Sequence, residues 1–174
     1  ALVTCIIRLF LNEKTLMPPE FNQVQETIRL CQSSTDQHGD ILLGEYSVKR
    51  FKNYLYLVTK MTLPEKKCYF LKKGEKLKLG SFEYVLRDDF VKDEVILDFN
   101  YKGSLKLKPT TRAHSREIKK LFGEYEVPVW LRGTHCLVKD CDTGAVIAFG
   151  SLFITVDYPT KAKSSPLIII QRQE

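Results

Sequence analysis

The sequence predicts an α+β fold: an N-terminal helix pair with a hairpin, then a sheet-rich C-terminal domain with one main amphipathic helix. Apolar residues recur at helical spacing in two segments before residue 33. From residue 41 the pattern changes to short β-branched and aromatic runs, which Gly, Asp and Asn separate. Helical spacing then returns once, between residues 115 and 125.

Two helices and a hairpin are expected in the first sixty residues. The first helix covers residues 2–12, with apolar positions at Leu2, Cys5, Ile6, Leu9 and Phe10. The second starts at Pro19 or Glu20, and its apolar positions are Phe21, Val24, Ile28 and Cys31, with Leu30 beside them. Two β-prone runs on either side of Lys52 and Asn53 predict the hairpin.

A domain boundary is expected near residue 60, because residues 62–67 contain Pro64 and several charges. Residues 1–60 then form a helical and hairpin domain, and residues 61–174 form an α+β domain. Short strands are expected at residues 69–71, 76–79, 82–87, 95–99 and 152–156. The turn sequence at residues 140–144 predicts a second hairpin, and an apolar run at 167–170 follows a polar segment.

Residues 115–125 predict a basic amphipathic helix, which Ser115 caps and Pro128 stops. Its apolar face holds Ile118, Leu121, Phe122 and Tyr125. At 100° per residue, the opposite arc holds Arg116, Lys119 and Lys120, and a third edge holds Glu117 and Glu124. The charges of this helix are therefore expected to be sorted by sign, so that a basic edge faces a polyanion.

Positive charge is concentrated around this helix. Residues 102–139 hold nine basic and three acidic residues, an excess of six, which equals the formal net charge of +6 for the whole chain. A pI near 9.0 favours nucleic acid or another anionic surface as the partner. Ordinary solvated surface charge explains the helix equally well.

Two further features suit RNA. The loop before the helix combines hydroxyls and arginines that can bind phosphate oxygens, at Thr110, Thr111, Arg112, Ser115 and Arg116. Trp130 with nearby Arg132 offers a stacking platform beside a cation. An ordinary capping loop and a half-buried packing tryptophan are the alternative interpretations.

Composition and motifs argue against several other classes. No apolar run approaches the roughly 20 residues that span a bilayer, so no membrane partner is expected. Five cysteines without a Cys-x-x-Cys pair indicate a reduced, cytoplasmic compartment. His135, Cys136 and Cys141 lack zinc spacing and a fourth ligand, so no metal is expected.

Enzyme signatures are also missing from the sequence, which has no phosphate loop, nucleophile elbow or zinc-protease motif. Its paired carboxylates, Asp88 with Asp89 and Asp140 with Asp142, fall in predicted turns and are expected to be turn residues. The chain opens at Ala1 without an initiator Met, so it is expected to be a fragment or to have a trimmed start.

Three motifs in order resemble the carboxy-terminal domain of bacterial tRNA(Ile)-lysidine synthetases. They are Arg-Glu-Ile-Lys-Lys-Leu-Phe at residues 116–122, Val-Pro-Val-Trp-Leu-Arg at 127–132 and Gly-Ser-Leu-Phe-Ile-Thr at 150–155. Residues 6–11, 17–18 and 43–51 resemble the end of that family's substrate-binding middle domain. Val129 replaces the family's second proline, and Ala113 and His114 replace glycines before the helix.

The resemblance implies a parent ligase that uses ATP and Mg²⁺ to adenylate the wobble cytidine of the CAU-anticodon tRNA(Ile), and then joins lysine to it. The family's ATP-binding loop, Ser-Gly-Gly-x-Asp-Ser, does not occur in this sequence. The chain is therefore expected to hold tRNA at the acceptor stem, without catalysis or a cofactor of its own. The expected RNA-binding residues are Arg112, Arg116, Lys119, Lys120, Trp130 and Arg132.

Two alternatives from other classes stay open. A general RNA-binding or nucleic-acid-binding module would bind unrelated RNA and DNA equally well. A protein-interaction or dimerisation domain would turn the basic face to an acidic partner and pair its tail strand across subunits. That second alternative makes a homodimer possible.

Overall fold

A computed structural model of the chain describes residues 1–34, 39–158 and 161–172. The chain forms two compact units, Ala1–Met61 and Thr62–Glu174. The predicted α+β class is confirmed, because helices precede a sheet-rich region that contains one further α-helix. No helix among the described residues is long and apolar enough to cross a membrane.

The first unit packs two helices against a small antiparallel sheet. Its elements are α1 (Leu2–Asn12), α2 (Phe21–Gln32), β1 (Ile41–Leu43), β2 (Tyr46–Phe51) and β3 (Tyr54–Thr59), with strand order β1-β2-β3. The predicted hairpin is confirmed, and Lys52 takes a φ of 54° in its tight turn. The backbone N–H of Glu20 donates to Gln23 Oε1 at 2.8 Å, which fixes the start of α2.

The apolar positions named from the sequence are only partly buried: Val24 and Leu30 lie in the core, and Phe10 and Ile28 pack against it. In α1 the buried residues are Ile7 and Leu11, whereas Leu2, Ile6 and Leu9 are exposed. Apolar residues surround nearly the whole of α1, so periodicity alone does not select the buried side. In α2 the buried residues are Val24, Thr27 and Leu30, while Phe21 and Cys31 are exposed.

The described residues of the second unit form two larger sheets and one strand pair, all antiparallel. The strands are β4 (Cys68–Lys72), β5 (Leu77–Leu79), β6 (Phe82–Leu86), β7 (Glu94–Asp98), β8 (Lys106–Leu107), β9 (Arg116–Glu117), β10 (Leu137–Asp140), β11 (Val146–Phe149), β12 (Phe153–Ile154) and β13 (Leu167–Gln171). The sheet orders are β12-β11-β10-β7-β4, β13-β6-β5 and β8-β9. The second predicted hairpin, β10 with β11, is confirmed.

Where the structure describes this unit, it also contains two helical elements, α3 (Ile118–Glu124) and a 3-10 helix (Val129–Thr134). The apolar side of α3 packs against the five-stranded sheet in a buried cluster with Leu137, Phe149 and Phe153. The hydroxyl of Tyr84 in β6 donates to the carbonyl of Thr134 at 2.6 Å, which fastens the 3-10 helix to the three-stranded sheet. Both α3 and the 3-10 helix are therefore held against the sheets of this unit.

The start of the second unit is anchored at a glycine. Gly80 has a φ of +59°, and the space that a Cβ atom would occupy there is filled by the carbonyl of Thr62. The N–H of Ser81 donates to that carbonyl at 2.9 Å, and Ser81 Oγ accepts from the N–H of Thr62 at 2.8 Å. Only glycine combines this φ with so close an approach of another backbone.

Candidate nucleic-acid interface

The basic helix begins later than its sequence pattern predicts. Residues Arg116 and Glu117 form β9, which pairs with β8, and α3 starts at Ile118 with Glu117 as its N-cap. The N–H groups of Ile118 and Lys119 donate to the carbonyls of Leu105 and Gly103, at 2.9 and 3.0 Å. Because these contacts satisfy the first helical N–H groups, Ser115 is not the cap.

The predicted sorting of charges by sign is wrong. Arg116 lies on a strand, so the helical wheel misplaced it, and it turns toward the end of α3. Its Nε lies 2.7 Å from Oε1 of Glu124, while Oε2 of Glu124 contacts Arg112. One carboxylate thus holds two arginines, whose side chains remain 31% (Arg112) and 42% (Arg116) exposed.

A second group of cations surrounds Glu117. The Nζ atoms of Lys119 and Lys120 lie 3.4 and 3.7 Å from Oε2 of Glu117, and both lysines are more than half exposed. Lys106 is the cross-strand partner of Glu117 in the β8–β9 pair, so it shares that face. Exposed ion pairs of this kind are weak, and the lysines are available to an external anion.

The two groups flank β9, because successive side chains of a strand point to opposite faces. Together they hold five cations, Lys106, Arg112, Arg116, Lys119 and Lys120, against two carboxylates. This basic surface, as we call these five residues, has a local excess of three positive charges. From the sequence, Lys106 was counted among the basic residues but was not assigned to this surface. The alternating pattern before Pro109 predicted a strand there, and that strand could have indicated its position.

Arg132 lies in the 3-10 helix and is held from inside. Its Nε donates to the carbonyl of Val127 at 3.2 Å, and its guanidinium lies 5.5 Å from the ring centroid of Phe122. The two Nη groups of the guanidinium carry its remaining donors. Trp130, in the same 3-10 helix, is half-buried.

Lys139 adds nothing to the basic surface, because its charge is balanced internally. Its Nζ lies 2.6 Å from Oδ2 of Asp98, which is 8% exposed. Burial alone would raise the pKa of Asp98, but Lys139 and the N–H of Asn100 lower it below the usual value. The pair therefore acts as a structural link between β7 and β10.

His135 is a buried titratable group in contact with the apolar side of α3. It is 8% exposed and packs beside Phe122, Phe149 and Gly150. Its Nδ1 has no hydrogen-bond partner among the described residues. Burial lowers the pKa of His135 to about 4, so the ring is neutral at physiological pH.

Asp140, one of the paired carboxylates noted in the sequence, stabilises a turn. Oδ1 of Asp140 accepts from the N–H groups of Asp142 and Thr143 at 2.8 and 3.1 Å. Within residues 1–34, 39–158 and 161–172, no group of three or more His, Cys, Asp or Glu side chains is placed to hold a metal ion.

Comparison with known proteins relates both units to one family. Residues 95–169 match the family model described as TilS substrate C-terminal domain, and residues 1–56 match the TilS substrate binding domain. The tRNA(Ile)-lysidine synthase of Vibrio campbellii is 30% identical over 169 residues, which are 86% of this chain and 35% of that protein. That of Photobacterium profundum is 29% identical over 171 residues, 88% of this chain and 37% of that protein.

A third relative, the tRNA(Ile)-lysidine synthase of Buchnera aphidicola, is 28% identical over 143 residues, 76% of this chain and 32% of that protein. The chain thus spans about a third of the length of the curated relatives it matches. Its two units define an α+β protein whose segments match the substrate-binding and C-terminal domain models of one family. The chain belongs to the tRNA(Ile)-lysidine synthetase family, which the relatives' names give as synthase.

Proposed function

We propose that this chain holds tRNA(Ile) for a lysidine synthetase by contacting the acceptor stem. Residues 61–174 form the tRNA-binding domain, and residues 1–60 form the end of the substrate-binding middle domain. The observation that carries the proposal is the basic surface on both sides of β9, within the segment that matches the family's C-terminal domain.

The contacts would be to the RNA backbone. Side chains cannot read the deep, narrow major groove of A-form RNA, so phosphates and the minor groove remain accessible. Arg112 and Arg116 can exchange the carboxylate of Glu124 for a phosphate, and Lys119 and Lys120 can do the same with Glu117. Trp130 and Arg132 belong to this site as its stacking and cationic edge.

In this proposal the chemical reaction is carried out by the parent ligase. The parent ligase would use ATP, Mg²⁺ and lysine to modify the wobble cytidine of the CAU-anticodon tRNA(Ile), in the cytoplasm. The family's phosphate-binding loop does not occur in this sequence.

Binding to three RNAs tests the proposal: full tRNA(Ile) with a CAU anticodon, its acceptor-stem minihelix, and its anticodon stem-loop. The chain should bind the first two and not the third, and affinity should fall with salt. Lys119→Glu with Lys120→Glu should weaken binding to the minihelix without unfolding the domain. Lys66→Glu with Lys76→Glu, exposed lysines of the same unit, is the matched control.

Other results would exclude the proposal. Equal affinity for all three RNAs and for unrelated DNA would indicate a general nucleic-acid-binding module. Unchanged affinity in the Lys119/Lys120 double variant would remove that part of the surface from the site. No binding at all would leave the interaction domain as the remaining interpretation.

One observation favours that interaction domain as a second candidate. Strand β13 lies at an edge of its sheet in the order β13-β6-β5, and its Ile168 and Ile170 are 43% and 46% exposed. Pairing of two such strands would form a homodimer. Molecular mass from size-exclusion with light scattering tests it, because an apolar strand interface should persist at high salt.

A further inference from the structure

A groove in the second unit lies outside the basic surface. Its volume is about 600 Å³, within the range of ligand pockets. It opens where β6 and β13 stop pairing, after the Leu86–Leu167 pair, and its walls are residues 87–91 and 161–166. We propose that this groove binds one unpaired nucleotide of the bound RNA, an inference that rests on the proposed tRNA-binding function.

The walls of the groove are fixed to each other. The N–H of Arg87 donates to the carbonyl of Pro166 at 2.8 Å, and Nη1 of Arg87 donates to Ser164 Oγ at 3.1 Å. Ser165 Oγ donates to the carbonyl of Gly150 at 2.5 Å, which holds the second wall on the domain. The groove is therefore formed before a ligand arrives, which limits the ordering cost of binding.

Cations on one wall suit a phosphate. Lys161 and Lys163 line the groove, and neither has an ion-pair partner among residues 1–34, 39–158 and 161–172. The carboxylate that also lines it, Asp89, has both oxygens engaged by Arg87, at 3.1 and 3.3 Å. Asp89 therefore competes weakly for the lysines, which are available to an external anion.

The rest of the lining suits a nucleobase. Phe90, Val91 and Pro166 provide apolar wall, and Val91 is 77% exposed. A phosphate at the lysines would place the attached sugar and base against this wall. A groove with walls on two sides admits one splayed nucleotide and not a duplex, because unpaired bases can leave the stack at low cost. In an acceptor stem, such nucleotides are those of the single-stranded 3′ tail.

Binding of the full chain to acceptor minihelices with and without the 3′ tail tests the inference. We expect the tail to raise affinity, and Lys161→Glu with Lys163→Glu to lower affinity for the tailed minihelix by about tenfold, to the tailless level. Affinity for the tailless minihelix should not change. For one lost phosphate contact on a single strand, the slope of log affinity against log salt should weaken by about 0.7.

Controls separate the two proposals. Lys66→Glu with Lys76→Glu makes the same charge change and should not remove the effect of the tail. If the wild-type chain failed to bind the tailless minihelix, the acceptor-stem proposal would be wrong. Binding of a four-nucleotide single strand would then still test whether the groove binds an unpaired nucleotide. The inference is overturned if the Lys161/Lys163 double variant loses the same affinity for both minihelices, or loses none for either. It is also overturned if free adenosine monophosphate competes equally well with the tailed and the tailless minihelix for the chain.

Discussion

Arg116 of β9 pairs with Glu124, the last residue of α3, with Nε of the arginine 2.7 Å from Oε1 of the glutamate. The same carboxylate contacts Arg112, so it neutralises part of the charge that a phosphate would use. Binding of RNA at this point requires an exchange of partners. Glu124 therefore sets how strongly the two arginines attract the RNA backbone.

Glu124→Gln should increase RNA affinity by about threefold at low salt, because it removes a competing carboxylate and a repulsive charge. The measurement is binding to the acceptor minihelix at two salt concentrations. Glu26→Gln, an exposed glutamate of the first unit, is the charge-matched control. Lower affinity in Glu124→Gln would show instead that the carboxylate orients the arginines for binding.

Two variants of Arg132 separate its structural role from its proposed RNA-binding role. Arg132→Ala should lower the free energy of unfolding by about 1 kcal/mol, because the bond to the Val127 carbonyl and the contact with Phe122 are lost. Arg132→Lys should restore much of the RNA affinity, which depends on charge, without restoring stability. Urea unfolding and minihelix binding of both variants measure the two effects. Equal recovery of both by lysine would contradict this division.

Arg50 should be critical for the first unit. Its Nη1 donates to the carbonyls of Leu30, Cys31 and Ser33 at 2.8, 3.1 and 2.7 Å, so it closes the C-terminus of α2. Arg50→Met should lower the free energy of unfolding by about 2 kcal/mol. Arg29→Met, an exposed arginine of the same helix, serves as the control in chemical denaturation. Equal stability of the two variants would contradict the capping role.

His135 should make stability depend on pH. Its pKa is about 4 in the folded protein and ordinarily 6.5, so the unfolded chain binds more protons between these values. Stability is therefore full above pH 6.5 and falls as the pH drops toward 4, by up to about 3 kcal/mol. Urea unfolding at pH 7 and pH 4.5 measures the fall. In His135→Phe the fall should be smaller, and an identical fall would assign it to other groups.

The elements that the sequence predicts well are those with local chemistry. The turn at residues 140–144 and the reversal at Lys52 and Asn53 use residue types that fix a backbone conformation without distant partners. The motif order between residues 116 and 155 also indicated the family that the comparisons establish. Both hairpins and the fold class followed from such signals.

The features that the sequence did not predict depend on distant partners. Residue 116 has helical surroundings in sequence, but pairing with Leu107 makes it a strand residue and moves its charge to Glu124. The groove likewise joins residues 87–91 to residues 161–166, which no local pattern connects. The RNA-binding roles of Arg112, Arg116, Lys119, Lys120, Trp130 and Arg132 stay predictions.

Gly80 has a consequence for the genetics of the protein. Any side chain at position 80 would meet the Thr62 carbonyl and require an unfavourable φ, so it would displace the first residues of the second unit. A missense change in this codon is therefore expected to act as a temperature-sensitive allele, although the residue lies outside both proposed RNA contacts. In a saturation screen at the higher temperature, position 80 should tolerate glycine alone while the neighbouring exposed lysines accept most replacements.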